Sequence, residues 1–197
     1  MAILTKDEAH ALLKKVLSYS KADECEVNIN GSHRGNIRYA RNAVSTSGGI
    51  SQINLVVSSA FGKKSGVATV NELDDSSLEK AVRRAEELAQ LAAENPELVS
   101  FLGHQTYAEY ITHVPATADI SPKLRADIVA QSLQVAKDAK LISAGYLEDT
   151  NGFAAMMNSK GLFAYNTATN VNFSVTMRTQ DGKGSGYATR GYNDITK

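Results

Sequence analysis

Hydrolysis or group transfer needs a bound metal, an activated nucleophile or a working pair of acid and base. The residues able to supply these are few. There are four histidines, His10, His33, His104 and His113, and none has a second ligand at metal spacing. No His-Glu-x-x-His string occurs, so each histidine fits a structural or surface role better than a ligand role. Cys25 is the single cysteine, which rules out an internal disulfide. It alternates with Val27 and Ile29 on the apolar side of a strand pattern. It therefore reads as a small buried hydrophobe, with no sequence neighbour that would lower its pKa. Glu148 and Asp149 are adjacent, and adjacent side chains on a strand point to opposite faces, which makes a poor acid/base pair.

Two Gly-Lys strings, Gly62-Lys63 and Gly182-Lys183, invite a phosphate-loop reading. Val57 and Met177 stand where such a loop has its first glycine, and neither lysine is followed by Ser or Thr. Both strings also lie between strand patterns, whereas a phosphate loop opens a helix, so they read as hairpin tips. Ser185, in Gly184-Ser185-Gly186, lacks the Gly-x-Ser-x-Gly string of a nucleophile elbow. Arg38, Arg41 and Asn42 lie in a strand and turn that flank the first meander. Two readings stand for them: the polar outer face of a sheet, or a contact to a peptide or ligand.

The elements that would position these residues follow from the patterning. Thr5-Lys6-Asp7-Glu8 is a capping box, and Ala9, Leu12, Leu13, Val16 and Leu17 follow at helical spacing, which predicts a helix over 5–19. Alternation then predicts strands at Cys25–Ile29, Asn36–Ala40, Ile50–Ser58 and Gly66–Val70. Turns are expected at Gly31, Gly35, Gly48, Gly49 and Gly62, and Asn30-Gly31-Ser32 reads as a turn, with His33 in it. A second helix starts at Asp75, Ser76 and Glu79, carries a stripe from Leu78 to Ala92, and is expected to end at Asn95-Pro96. Residues 97–120 read as a connector, with Tyr107, Tyr110 and Ile111 available to pack it against a sheet. Ser121-Pro122 opens a third helix whose Leu124, Ile128, Val129, Leu133 and Ala136 are expected to face inward. Strands are predicted at Leu141–Glu148, Phe153–Met157, Leu162–Thr167, Asn170–Arg178 and Ser185–Arg190.

The chain repeats itself. Residues 62–69 recur at 182–189 with six of eight positions identical. Asn54-Leu55-Val56-Val57 has its counterpart in Asn172-Phe173-Ser174-Val175, and the two capped helices start at Thr5 and Ser121. The fold class that follows is α+β in two similar halves, each a helix followed by an antiparallel meander, with a further helix closing the first half. The expected organisation is a first repeat over 1–96, a connector over 97–120, and a second repeat over 121–197. The second repeat stops where its closing helix should begin. A sheet without its covering helix implies a fragment, or a cover supplied by a partner.

The totals narrow the function classes. Lys+Arg and Asp+Glu both number 21, so no global field draws the chain to DNA or to an anionic membrane. Short basic pairs such as Lys14-Lys15 and Arg83-Arg84 lie in helical patterns and read as solvated faces. No apolar run is long enough to span a bilayer, the N-terminus lacks a signal-peptide pattern, and the cysteine usage fits a cytoplasmic protein.

Arg38-Tyr39-Ala40-Arg41-Asn42, the Gly62-to-Thr69 hairpin, and the capped helix with Ala81, Ala85 and Ala89 resemble the N-terminal region of TldD/PmbA proteins. So do Asn158-Ser159-Lys160-Gly161, the alternating strand after it, and Gly184-x-Gly186-Tyr187. These matches fall in order over nearly the whole chain. The resemblance implies a part of a family described as zinc metallopeptidases and as modulators of DNA gyrase. Such proteins act on flexible peptides or unfolded substrates together with a family partner. Their zinc site uses a His-Glu-x-x-x-His helix downstream of the region matched here. This chain has no such motif, so no catalytic or metal residue is carried over, no cofactor is expected within it, and it is expected to be inactive alone. In the family the N-terminal region helps enclose the peptide, which would make Arg38, Arg41 and Asn42 substrate-facing. The expected partners are a peptide or unfolded protein and a family member in a homo- or hetero-oligomer, with no direct nucleic acid and no membrane. The alternatives are a stand-alone protein-binding or oligomerisation module, and a DNA-associated regulator, which the neutral charge disfavours.

Overall fold

The structure, a computed structural model, describes residues 3–197. Thr5 caps the first helix, α1 (Lys6–Tyr19), through the predicted capping box: Glu8 N donates to Thr5 Oγ1 at 3.3 Å, and Thr5 N donates to the Glu8 carboxylate at 2.8 Å. Three strands follow, β1 (Glu24–Ala40), β2 (Ala43–Phe61) and β3 (Lys64–Val70), and then α2 (Asp75–Leu91), capped by Asp74. After the connector come the short α3 (Pro115–Ala118) and α4 (Pro122–Asp138), whose N-cap is Ser121. A second meander, β4 (Ile142–Asn158), β5 (Phe163–Arg178) and β6 (Ser185–Tyr192), completes the order. The strands join in one antiparallel sheet of order β3-β2-β1-β4-β5-β6. The sequence order α1-β1-β2-β3 is repeated as α4-β4-β5-β6, so the fold is α+β with two helix-then-meander halves, and α2 is the further helix after the first.

The residues cluster into two compact units, and each long strand gives a segment to both. Of the described residues, one unit comprises 3–31, 52–110 and 153–166. In its apolar core, Leu13 and Val16 of α1 and Leu78, Val82 and Ala85 of α2 join Val27, Leu55, Val57 and Phe153 of the strands. The helical spacing of the first two sets and the alternation of the third put one face of each element inward. The other unit comprises residues 32–51, 111–152 and 167–197. Its core joins Ile37, Tyr39, Leu147 and Val171 to Val129 and Leu133 of α4.

Several expected breaks are absent. Gly31, Gly35, Gly48 and Gly49 lie inside strands, so Glu24–Ala40 and Ala43–Phe61 are each one strand, and His33 sits within β1. Gly31 and Gly35 are needed for space: a Cβ would run into the Phe153 ring at the first and the Arg125 guanidinium at the second. The stripe of α4 holds at Val129, Leu133 and Ala136 and departs from the expectation in its first turn. Leu124 is 38% exposed, and the side chain buried in its place is Arg125, at 4%. Arg125 Nη1 donates to Asp149 Oδ1 at 2.6 Å and to Ile120 O at 3.2 Å. Helix α2 ends at Leu91, short of Asn95-Pro96, because the backbone that follows is captured elsewhere. Asn95 N donates to Lys63 O at 2.8 Å, and Lys63 Nζ donates to the carbonyls of Pro96 and Leu98. Tyr107, Tyr110 and Ile111 are exposed and do not pack the connector down.

Candidate functional site

Arg38, Arg41 and Asn42 fall in two places. Arg38 is exposed on β1, its guanidinium carbon 5.3 Å from the centre of the Tyr146 ring on β4. Tyr146 Oη donates to Glu148 at 2.9 Å, and Arg34 Nε stands 3.7 Å from the same carboxylate. Burial, and then the Glu148 carboxylate, raise the Tyr146 hydroxyl above its usual pKa, which keeps it a proton donor. Arg34, Arg38, Tyr146 and Glu148 therefore form a polar row in which the buried Arg34 Nε has no hydrogen-bond partner.

Arg41 and Asn42 make the two-residue turn between β1 and β2, with φ of 53° and 59°. Both lie in the left-handed region that such a hairpin needs, and Asn tolerates it well. Asn42 is fastened to β4 and the residue before it: Nδ2 donates to Leu141 O at 2.8 Å, and Ser143 N donates to Oδ1 at 2.6 Å. Arg41 projects from this fixed turn and is exposed. Arg41, Asn42 and Ile142 share a cleft of about 560 Å³ with Arg178, Thr179, Gln180 and Gly182 of the β5–β6 hairpin. Gln180 is held by its amide, which donates to Lys140 O at 3.1 Å. Arg38 does not line this cleft.

Arg178 is the residue that the sequence reading missed. Its signal was present, since it stands just before the hairpin that repeats the Gly62 octapeptide. Strand alternation alone gave no reason to link it to Arg41, which is far away in sequence. Asp149 was read only against its neighbour Glu148. The two do face opposite ways, Glu148 to Tyr146 and Asp149 to Arg125. Burial raises the Asp149 carboxyl above its ordinary range, and Arg125 offsets part of that rise.

Among the described residues no group of three or more His, Cys, Asp or Glu side chains is placed to hold a metal ion. Cys25 is buried, and burial pushes its thiol up. His33 Nδ1 does lie 2.9 Å from Ser51 Oγ. Asp149 is committed to Arg125, which leaves that pair without the acid that orients a catalytic histidine. His10 rests edge-on against Phe163.

The fold and the cleft define a class of protein first: an α+β unit of two helix-meander repeats that presents a basic cleft at a hairpin. Residues 25–89 match the family model described as PmbA/TldA metallopeptidase domain 1. No curated protein matches the chain in sequence. Among solved structures, TldE from Thermococcus kodakarensis superposes with a TM-score of 0.83 at 17% identity, over 94% of this chain and 43% of its own. A protein from Thermotoga maritima, named as a candidate modulator of a DNA gyrase, gives 0.83 at 16% identity, over 95% of this chain and 44% of its own. One of like description from Bacteroides thetaiotaomicron gives 0.78 at 15% identity, over 98% and 47%. At these identities the structures show the shared fold. The chain spans less than half the length of each of them. The family match and the shared fold together bear out the TldD/PmbA resemblance.

Proposed function

We propose that this chain is the N-terminal, non-catalytic part of a TldD/PmbA-like metallopeptidase and helps to enclose a flexible peptide. One observation carries the reading. The fold of TldE is matched over 94% of this chain, yet only 43% of TldE is used, so the remaining chemistry belongs to the other part of such a molecule. The name of the matched family model, a metallopeptidase domain, gives the reaction class. Zinc, if the complete assembly uses it, is held outside these residues. The peptide is an unfolded protein or flexible segment, the partner is a family member in a homo- or hetero-oligomer, and the compartment is the cytoplasm. Among the described residues no helix is long and apolar enough to cross a membrane, and the balanced charge gives no field for nucleic acid, so a link to DNA gyrase would run through protein.

The test is to incubate the purified chain with a labelled pool of unfolded peptides, with and without added zinc. No hydrolysis is expected in either case. Chelator-sensitive turnover by this chain alone would contradict the reading.

A second reading is favoured by one feature. Every residue of the edge strand β6 is exposed, with Tyr187 at 69%. An exposed edge is a template for another strand, as in a protein-binding module without any proteolytic role. Capture of folded, rather than unfolded, protein by the chain would favour this alternative.

A further inference from the structure

The two copies of the repeat each end in a hairpin beside the start of a long strand, and the clefts at these two places correspond. In the first copy the cleft is lined by Asp23, Glu24, Ala60, Gly62 and Lys63, and one wall is an extended strap of the chain's own connector, Leu98 to Ser100. The strap is held by charge and backbone together. Lys63 Nζ donates to Pro96 O and Leu98 O, and Glu24 accepts from Ser100 Oγ at 2.7 Å and from Phe101 N at 2.8 Å. Ile142 stands in the second copy where Glu24 stands in the first, and Arg178 and Gly182 stand where Ala60 and Gly62 do. The second cleft is about 560 Å³, against about 300 Å³ for the first, and among the described residues no connector strap lines it.

The charge also differs. Asp23 and Glu24 line the first cleft beside Lys63, whereas the charged residues lining the second are Arg41 and Arg178. Both guanidiniums are exposed and make no ion pair among the described residues. The turn beneath them is fixed by the Asn42 bonds, and the loop that follows Arg178 by Thr179 N donating to Gly184 O at 3.0 Å and Gly184 N to Thr179 Oγ1 at 2.9 Å. Two arginines on a fixed frame suit a carboxylate, which a guanidinium binds in a bidentate fork. The volume and the Ile142 side chain suit an organic chain rather than a bare ion.

We propose that the cleft of Arg41, Ile142, Arg178 and Gln180 binds an extended acidic peptide, in the place that the chain's own strap takes in the first copy. The proposal rests on the peptide-enclosing reading and sharpens it to a substrate class: segments carrying Glu, Asp or a free C-terminal carboxylate. Arg41 and Arg178 take the carboxylate, and Ile142 and the Thr179–Gly182 backbone take the chain beside it.

The test is fluorescence anisotropy on this chain with a labelled, flexible hexapeptide containing two glutamates. A twin peptide has glutamine in their place and an amidated C-terminus. The acidic peptide is expected to bind at least about tenfold more tightly than its twin, and to weaken as NaCl is added. Arg178→Gln and Arg41→Gln should each remove most of that preference, with an unchanged circular-dichroism spectrum, while Arg84→Gln on exposed α2 leaves it intact. Equal binding of the two peptides, or equal loss in Arg84→Gln, overturns the proposal. Displacement of the peptide by inorganic phosphate at the peptide's own binding concentration also overturns it, by reducing the cleft to a simple anion site. Because binding is read here without hydrolysis, failure of this test is distinct from failure of the enclosing role.

Discussion

The hairpins at Gly62 and Gly182 share a sequence and differ in what lies beside them. The first is a tight turn in which Phe61 pairs with Lys64. Its lysine reaches out to two carbonyls of the connector and closes a cleft. The second opens into a longer loop between Arg178 and Ser185, and the corresponding lysine only approaches Asp181 of its own loop. A duplicated hairpin thus serves as an internal clamp in one copy and, we propose, as a peptide clamp in the other. The cores differ in the same spirit. In the unit that holds α1 and α2 the one buried acid of α2, Glu86, pairs with a partly exposed arginine, Arg83, while the unit that holds α4 buries both members of an ion pair, Arg125 and Asp149, at 4% exposure each. Repeating a framework preserved the hydrogen-bonded scaffold and left the contents of each copy free to diverge.

The largest expected effect tests the difference between the cores. Arg125→Ala leaves Asp149 buried without its partner, a loss of about 3–5 kcal/mol in urea unfolding. Replacing both residues by apolar ones of similar size should cost much less, and an equal cost for the two changes would mean that the pair matters beyond its charge. In the apolar core, Leu55→Ala is expected to cost about 2–5 kcal/mol, with no charge left stranded. Gly66→Ala drives a methyl into the α2 backbone at Ala85 and Ala89, and overpacking of this kind costs about 1–3 kcal/mol.

The strap should respond to pH. Bonds from Ser100 and Phe101, then Lys160, hold the Glu24 carboxyl down at about 2, against 4.5 ordinarily. The folded state therefore binds this proton less readily than the unfolded one. The stabilisation is complete above the unfolded value and is lost as pH falls from there toward about 2. Glu24→Gln should be less stable than the parent at neutral pH, with the gap closing through that acid window, as read by urea unfolding at several pH values. A gap that does not change with pH would break the link between Glu24 and the strap. The smallest effects belong to the helix caps: Thr5→Ala and Ser121→Ala should each cost about 1 kcal/mol, read by thermal unfolding.

Much of this molecule was legible in the sequence because the signals are local. Capping residues at Thr5 and Ser121 set two helix starts to the residue, and the repeated octapeptide gave the topology of both meanders. Glycines misled where they serve space instead of turning: Gly35 looks like a turn in sequence and is a slot for Arg125 in three dimensions. For the same reason the first turn of α4 was misread at Leu124, since no local pattern reveals that Arg125 will find Asp149 across the fold. Half of the candidate cleft was visible as Arg41-Asn42. The other half, Arg178 to Gly182, comes from a hairpin whose approach to that turn only the strand order β1-β4-β5 supplies.

The most direct measurement is amide hydrogen exchange at the two hairpins, with and without the acidic peptide. The account predicts slow exchange at Phe61–Lys64 and along the strap at Leu98–Phe101 in both conditions. At Arg178–Ser185 it predicts fast exchange in the free chain and slowing when the acidic peptide is present. Equal rates at the two hairpins in the free chain, or peptide-induced protection at the first hairpin instead of the second, would contradict it.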